Sequence, residues 1–313
     1  MRSDRVQAGP GLARDVLRRV VGERRTRAAD EVGRLVFLGE GLSYRTYGAT
    51  CLLGGAERPL VVRLPCAQEG PQQRDRAVQE RRLLEHLASL DLPLRLPRPV
   101  AEVPVPSGTA VVQEWVGGVP CDLRASRSTT PWVTVGEAAA CIHGVDPAPL
   151  RGAVRGPATV REDALERLEP LRGLELPEAR AALAWAMAHL PEPEPSRLLH
   201  GDLLGQNLLL SPGEPLGVID WSEARLGDPA YDLAVVTRGK RQPFQVPDGM
   251  ERLLDVYRRA SGRDLGAASV RLHELALSAG FYRADVETYG EGSPAAANAQ
   301  ATLRNLLART AGA

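Results

Sequence analysis

Lysine is almost missing from this chain. Lys240 is the only one, so all the other members of its 39 lysine and arginine residues are arginine. Acidic residues also number 39, leaving a formal net charge of zero. That balance excludes broad electrostatic attraction to nucleic acid or to an anionic membrane surface, and neither is expected as a partner. One basic stretch, Arg14 to Arg27, has the charge of a nucleic-acid arm. Its Leu12, Val16 and Val20 recur at helical spacing, which favours an amphipathic surface helix over about residues 10–25.

Cysteine is scarce as well. Cys51, Cys66, Cys121 and Cys141 lie far apart with no close-spaced pair, which excludes a cysteine metal or redox motif and fits a reducing compartment. No apolar run approaches the length of a membrane span, and the first thirty residues hold no apolar core of signal-peptide length. A cytoplasmic protein is expected.

What is present is apolar material enough for a large domain or two lobes: 313 residues, 43% of them hydrophobic. Leu35–Leu38, Arg45–Leu52 and Leu60–Leu64 read as strands, the last two joined by a Gly54-Gly55 turn. Residues 72–90 carry a helical pattern with Ala77, Leu84 and Leu87 on one face. Val100–Val103 and Thr109–Glu114 complete a small antiparallel sheet. After Gly117-Gly118 the pattern turns mainly helical, at 132–143, 161–172, 178–190, 248–260, 268–282 and 295–310. Residues 1–114 are thus expected to form one lobe, 115–118 a hinge and 119–313 a second lobe, with a cleft between them suited to a nucleotide.

Chemistry concentrates in His200-Gly201-Asp202-Leu203-Leu204-Gly205-Gln206-Asn207 and Ile219-Asp220-Trp221. Asn207 lies five residues after Asp202, and Asp220 thirteen after Asn207. Leu208-Leu209-Leu210 and Leu216-Gly217-Val218-Ile219 are short apolar runs bounded by turn residues, so the polar groups sit at the mouths of buried strands. Asp and Asn are common turn residues in their own right; the combination and its spacing separate these from ordinary turns. Transfer of a phosphoryl group depends on orienting the attacking hydroxyl and screening charge with bound metal. One carboxylate for the hydroxyl, with an amide and a second carboxylate for Mg²⁺, is a sufficient set.

From about Gly39 to about Ala234 these motifs resemble the aminoglycoside phosphotransferases and their protein-kinase-like relatives among small-molecule kinases. The resemblance implies an α+β, bilobal protein-kinase-like fold, with a small antiparallel-sheet N-terminal lobe carrying one helix and a larger, mainly helical C-terminal lobe. It implies Asp202 as the catalytic aspartate, Asn207 and Asp220 as metal ligands, and His200 as a structural brace of the loop. The donor would be ATP or GTP with Mg²⁺, and the acceptor a hydroxyl of a small molecule, an aminoglycoside first. Macrolide, hygromycin-like, choline and homoserine acceptors are alternatives. A pseudokinase or nucleotide-binding interaction module is the reading from another class.

In Gly39–Tyr47, Gly41 and Ser43 are candidates to hold a phosphate, since turn N–H groups and a hydroxyl suit an anion. Glu80 lies three residues after Ala77 and four before Leu84, so it turns inward and needs a cation. Arg63 is the expected partner; Arg76 or Arg81 would serve a surface glutamate instead. The family usually has lysine at the strand position, and arginine differs from it in plane and length. Either Arg63 takes the phosphate-placing role or the nucleotide is held weakly; the first is favoured. Val61-Val62-Arg63-Leu64-Pro65 and Val218–Arg225 look like the macrolide and hygromycin branches, while the macrolide branch tends to carry histidine where Asn207 stands. Backbone at Glu114–Val116 is expected to meet the base. Asp232 is expected to cap an apolar helix as a structural residue, and Asp228 to brace the metal loop or face substrate. Glu223, Asp285, Glu287 and Glu291 are the remaining candidate substrate carboxylates. A monomer or weak dimer is expected.

Overall fold

The computed structural model describes residues 9–22, 32–41, 44–66, 71–127 and 129–310. The chain divides into two compact units, residues 1–118 with 217–222, and residues 119–216 with 223–313.

The first unit begins with α1 (Pro10–Gly22), followed by β1 (Val36–Glu40), β2 (Tyr44–Leu53) and β3 (Ala56–Pro65). Then come α2 (Pro71–Leu87), a short β4 (Leu94–Arg95), β5 (Pro99–Val105) and β6 (Gly108–Glu114). Five strands form one antiparallel sheet in the order β1-β2-β3-β6-β5. The β2–β3 turn uses Gly54 and Gly55, both at positive φ (63° and 84°), as a tight two-residue hairpin demands.

Alternation along the strands gives this sheet two different faces. Tyr47, Ala49, Cys51, Leu60, Val62, Leu64, Ala110 and Val112 pack on one side against Ala13, Val16, Leu17, Val20 and Val21 of α1. The expected amphipathic helix covers this sheet face with its apolar stripe, and its polar side stays exposed. Burial among these groups pushes the Cys51 thiol up to about 11, so it is an inert core residue.

The second unit opens with β7 (Val119–Pro120) and α3 (Pro131–His143), then α4 (Val160–Arg167), α5 (Glu169–Arg172) and α6 (Pro177–Ala188). Strands β8 (Arg197–Leu199), β9 (Leu208–Leu210), β10 (Leu216–Val218, running into the first unit's segment) and β11 (Arg225–Gly227) frame the chemical motifs. Helices α7 (Ala230–Thr237), α8 (Gly249–Ser261), α9 (Ala267–Tyr289) and α10 (Pro294–Ala308) finish the chain. The single helix expected over 161–172 is two, divided before Pro170, whose ring is tolerated only in a first turn. Ala164, Leu168, Leu171, Ala179, Ala182, Leu272, Leu275, Ala279, Leu303 and Leu306 make this unit's main core. Among the described residues no helix is long and apolar enough to cross a membrane.

Candidate active site

In the first unit the site is built on Arg63. β3 holds its side chain on the face opposite α1, and α2 presents Glu80 from the same stripe as Ala77, Leu84 and Leu87. Arg63 Nη1 donates to Glu80 Oε1 at 2.7 Å, and both side chains are buried. Arg81 goes instead to Glu85 and Glu102, so the surface alternative for Glu80 is not the one adopted. A partner not foreseen from the sequence is Asp220, whose Oδ1 accepts from Arg63 Nη2 at 3.0 Å. The guanidinium also lies 4.7 Å from the centroid of the Tyr44 ring. Burial works against its charge, but Glu80 and Asp220 more than offset this and hold Arg63 protonated. Burial likewise pushes the Glu80 carboxyl up, opposed by Arg63. A planar fork with separate N–H groups can serve two carboxylates at once, which is the physical reason arginine suits this position.

Asp220 adopts a left-handed backbone, φ 62°, uncommon for a residue with a side chain and tolerated best by Asn and Asp. The conformation is over-determined by its neighbours. Trp221 is buried, with its indole N–H donating to Val218 O at 3.1 Å, and Ser222 Oγ donates to Asp220 Oδ1 at 3.0 Å. The Asp220 side chain is 44% exposed, and its Oδ2 has no hydrogen-bond partner among the described residues.

Other expectations in this unit fare differently. Ser43 lies outside the described residues. The Gly41 N–H donates to Tyr44 O at 2.9 Å, closing the turn, so this amide is not free for a phosphate. The N–H groups of Glu114 and Trp115 donate to Arg98 O and Pro59 O, both at 2.9 Å. A base meeting this segment is thereby left with carbonyls and the Val116 amide. The Glu114 carboxylate is taken by Arg58 at 3.1 Å.

In the second unit one buried carboxylate organises the loop after β8. Asp232 was expected to cap α7, but its oxygens face elsewhere: Oδ2 accepts the His200 N–H and Oδ1 the Gly201 N–H, both at 2.8 Å. The start of α7 is served by Asp228 instead, whose Oδ1 accepts the Ala230 N–H at 3.0 Å. Burial would raise Asp232, and it is outweighed by the hydrogen bond and charge of His143, the charge of His200 and the loop N–H. The carboxyl is therefore held below its ordinary value. His143 Nε2 lies 3.1 Å from Asp232 and Nδ1 lies 3.0 Å from the Tyr257 hydroxyl. With Nε2 donating to the carboxylate, Nδ1 accepts from the tyrosine.

This anchoring sets the chain that follows. His200 is fully buried and its Nδ1 accepts the Asp202 N–H at 3.3 Å. Gly201 has φ 83°, and a Cβ there would stand 2.1 Å from Glu223 O, so only glycine fits. Asn207 Nδ2 donates to Asp202 O at 2.8 Å and to Asp202 Oδ2 at 3.0 Å. The amide's donor side is committed to the aspartate, and its oxygen is the atom left for a cation.

The candidate substrate carboxylates are dispersed. Asp228 is 3% exposed, with Oδ2 2.8 Å from His273 Nε2 and its own N–H on Asp163, so it is not available to a substrate. Glu223 is part-exposed and reaches Arg155 at 3.3 Å. Asp285 and Glu287 lie on the last turns of α9, which continues past the expected end at 282, and Glu287 is within 3.7 Å of Arg283. His143, Tyr257, Asp163 and His273 were missed by sequence reading; they are buried polar residues with no local spacing to mark them.

These geometries have known counterparts. The model of the phosphotransferase enzyme family matches residues 36–273. The chain belongs to this family. Viomycin phosphotransferase of Streptomyces vinaceus is 43% identical over 68 residues, 20% of this chain and 22% of that protein. Acyl-CoA dehydrogenase family member 10 of Mus musculus is 38% identical over 61 residues, 19% of this chain and 6% of that protein. The matched stretch thus spans under a quarter of either curated relative. Among solved structures, aminoglycoside phosphotransferase APH(4)-Ia in a ternary complex with ADP and hygromycin B superimposes with a TM-score of 0.66 at 21% identity, covering 90% of this chain and 96% of that one. The macrolide 2'-phosphotransferase of Brachybacterium faecium gives 0.63 at 25% identity, covering 92% and 97%. The GDP and kanamycin complex of APH(2")-IIia gives 0.66 at 16%, covering 95% and 99%. The fold is that of these kinase-like phosphotransferases, with an antiparallel sheet region followed by a mainly helical one.

Proposed function

We propose that this phosphotransferase moves the γ-phosphate of ATP or GTP to a hydroxyl of a small antibiotic, an aminoglycoside first, and so confers resistance. The observation that carries the reading is the loop from His200 to Asn207, in which Asp202 is gripped by the Asn207 amide and held through Asp232. Asp202 orients the acceptor hydroxyl and takes its proton as the oxygen–phosphorus bond forms and the γ-phosphorus bond to the departing nucleoside diphosphate breaks. Arg63, fixed by Glu80, places the donor's phosphates.

Asn207 and Asp220 fit Mg²⁺, since each keeps a hard oxygen: the amide oxygen of one and Oδ2 of the other. Among the described residues no group of three or more His, Cys, Asp or Glu could hold a metal. A cation that keeps its water and is shared with substrate phosphates needs no such cage. When bound, it screens the charge of the transferred group.

The acceptor class is supported by the aminoglycosides named in the related complexes, hygromycin B and kanamycin. A macrolide acceptor is the second reading, favoured by the 25% identity to the Brachybacterium faecium enzyme. Transfer in the cytoplasm, by a monomer or weak dimer, fits a substrate and a donor that are both small molecules. The test is a phosphate-transfer screen over aminoglycosides, macrolides, viomycin and simple amino-alcohols, with ATP and GTP run separately. Acceptor-dependent transfer supports the reading. Nucleotide binding with no transfer and no slow hydrolysis would favour a pseudokinase.

A further inference from the structure

Asp163 is a fully buried carboxylate on α4 that none of the chemistry above uses. Its Oδ2 accepts the Arg167 Nε–H and the Asp228 backbone N–H, both at 2.9 Å, and its Oδ1 stands 2.7 Å from Arg225 Nη2 in an ion pair. Gly227 lies between Arg225 and Asp228, and a Cβ there would come within 2.5 Å of Oδ2, so the carboxylate rests on bare backbone. A buried carboxylate is costly unless charges and donors surround it. Two guanidiniums and a backbone N–H do so here. The first turn of α4, which leads into Asp163, is itself fixed by a capping box between Thr159 and Glu162.

What Asp163 holds is the stretch on which the Asp202 loop rests. β11 pairs antiparallel with β8, Arg225 opposite Leu199 and Gly227 opposite Arg197, and β8 runs directly into His200. Upstream, the Glu223 carbonyl packs against Gly201. Downstream, Asp228 Oδ1 accepts the Ala230 N–H at the start of α7, while its Oδ2 is fixed from α9 by His273. Arg167, held by Asp163, stacks on the ring of Tyr231, 3.1 Å from its centroid. The next residue is Asp232, whose oxygens accept the His200 and Gly201 N–H groups. Asp163 therefore reaches Asp232 by two routes, through Asp228 and through Arg167 with Tyr231.

We infer, on the phosphotransferase reading above, that Asp163 is a positioning residue for the transfer step. By fixing Arg225, Asp228 and Arg167 it sets where Asp232 stands, and Asp232 sets the backbone that aims Asp202 at the acceptor hydroxyl. A reacting group displaced by about 1 Å loses about 10²-fold in rate, because its orientation is no longer pre-paid. Asp163→Asn keeps the shape of the side chain and an acceptor for the Asp228 N–H. It leaves Arg167 and Arg225 without their shared counter-charge and adds an NH₂ group where donors already converge. The stretch then shifts, and the effect falls on kcat, the step in which orientation counts, rather than on binding.

The test is steady-state kinetics of the full chain, with ATP or GTP and each antibiotic of the panel that the wild type phosphorylates. Asp163→Asn should lower kcat about a hundredfold and leave the KM values for donor and acceptor within about twofold. Leu303→Ala, which opens a cavity in the core of the same unit, should melt lower than the wild type yet keep its kcat below that temperature. In an Asp202→Ala background, adding Asp163→Asn should cost nothing further, since both changes act on the same aim. Should Asp163→Asn fail to fold, Arg225→Met removes one of its ties from a side chain 21% exposed, and should lower kcat about tenfold at unchanged KM. Wild-type kcat in the variant overturns the role of Asp163. So does a rise in KM at unchanged kcat, an equal loss of kcat in Leu303→Ala, or a further loss in the Asp202→Ala background. If the wild type transfers phosphate to nothing, the phosphotransferase reading falls and takes this role with it; transfer by the wild type with the variant equally active removes only the role of Asp163.

Discussion

Asp202 and Asp232 divide the loop's two tasks, one facing the chemistry and the other holding the backbone. Replacing Asp202 with alanine should leave nucleotide binding intact and lower kcat by about 10²–10⁴, the usual contribution of a positioned base, read by steady-state kinetics beside nucleotide titration. Asp232→Asn should instead cost about 2–4 kcal/mol of stability, because a buried, multiply bonded carboxylate is lost. That cost carries a pH signature. Asp232 is held below the ordinary carboxylate value, so its contribution is complete above about pH 4 and disappears as pH falls through the lower native value. Urea unfolding at a series of pH values should show wild type and Asp232→Asn converging only in acid. Asp202, Asn207 and Asp220 are legible as candidates because they sit in two compact segments, and Glu80 because helical spacing turns it inward. Asp232 looked like a cap because it lies near a helix start, while its actual partners, His200 and Gly201, lie 32 and 31 residues away.

Among the elements, β3, α2 and the segment 217–222 are tied by one guanidinium. Arg63→Met strands Glu80 in the core and should destabilise the protein by about 3–5 kcal/mol. Adding Glu80→Leu should recover most of that loss, since an apolar pair can replace a buried ion pair. Chemical denaturation of the single and double variants measures the coupling; equal losses in both would contradict it. At the other segment, Gly201→Ala should collapse turnover, because the new Cβ meets a backbone carbonyl that cannot step aside. The strands and most helices were legible from period and punctuation: Pro at the first position of α1, α2, α3, α6 and α10, and Gly54-Gly55 in the hairpin. The core role of α1 was not. A helix stripe shows that something is covered, and only the register of β2, β3 and β6 shows what.

The molecule as a whole is a family phosphotransferase in two compact units, with Asp220 grouped with the first unit although the chain around it belongs to the second. Nucleotide with Mg²⁺ should stabilise it by mass action, about 2.7 kcal/mol at a hundredfold excess over Kd, seen as a concentration-dependent rise in Tm. What the acceptor is could not be read from composition, because the acidic candidates are spread along the chain among arginines and Asp228 is buried. The central claim is therefore best tested by one experiment: transfer of labelled γ-phosphate from ATP or GTP, with Mg²⁺, to the antibiotic panel by wild type and Asp202→Ala. Acceptor-dependent labelling of at least one antibiotic hydroxyl by the wild type, and its loss in the variant, is the predicted result. Labelling by Asp202→Ala at the wild-type rate would contradict the account.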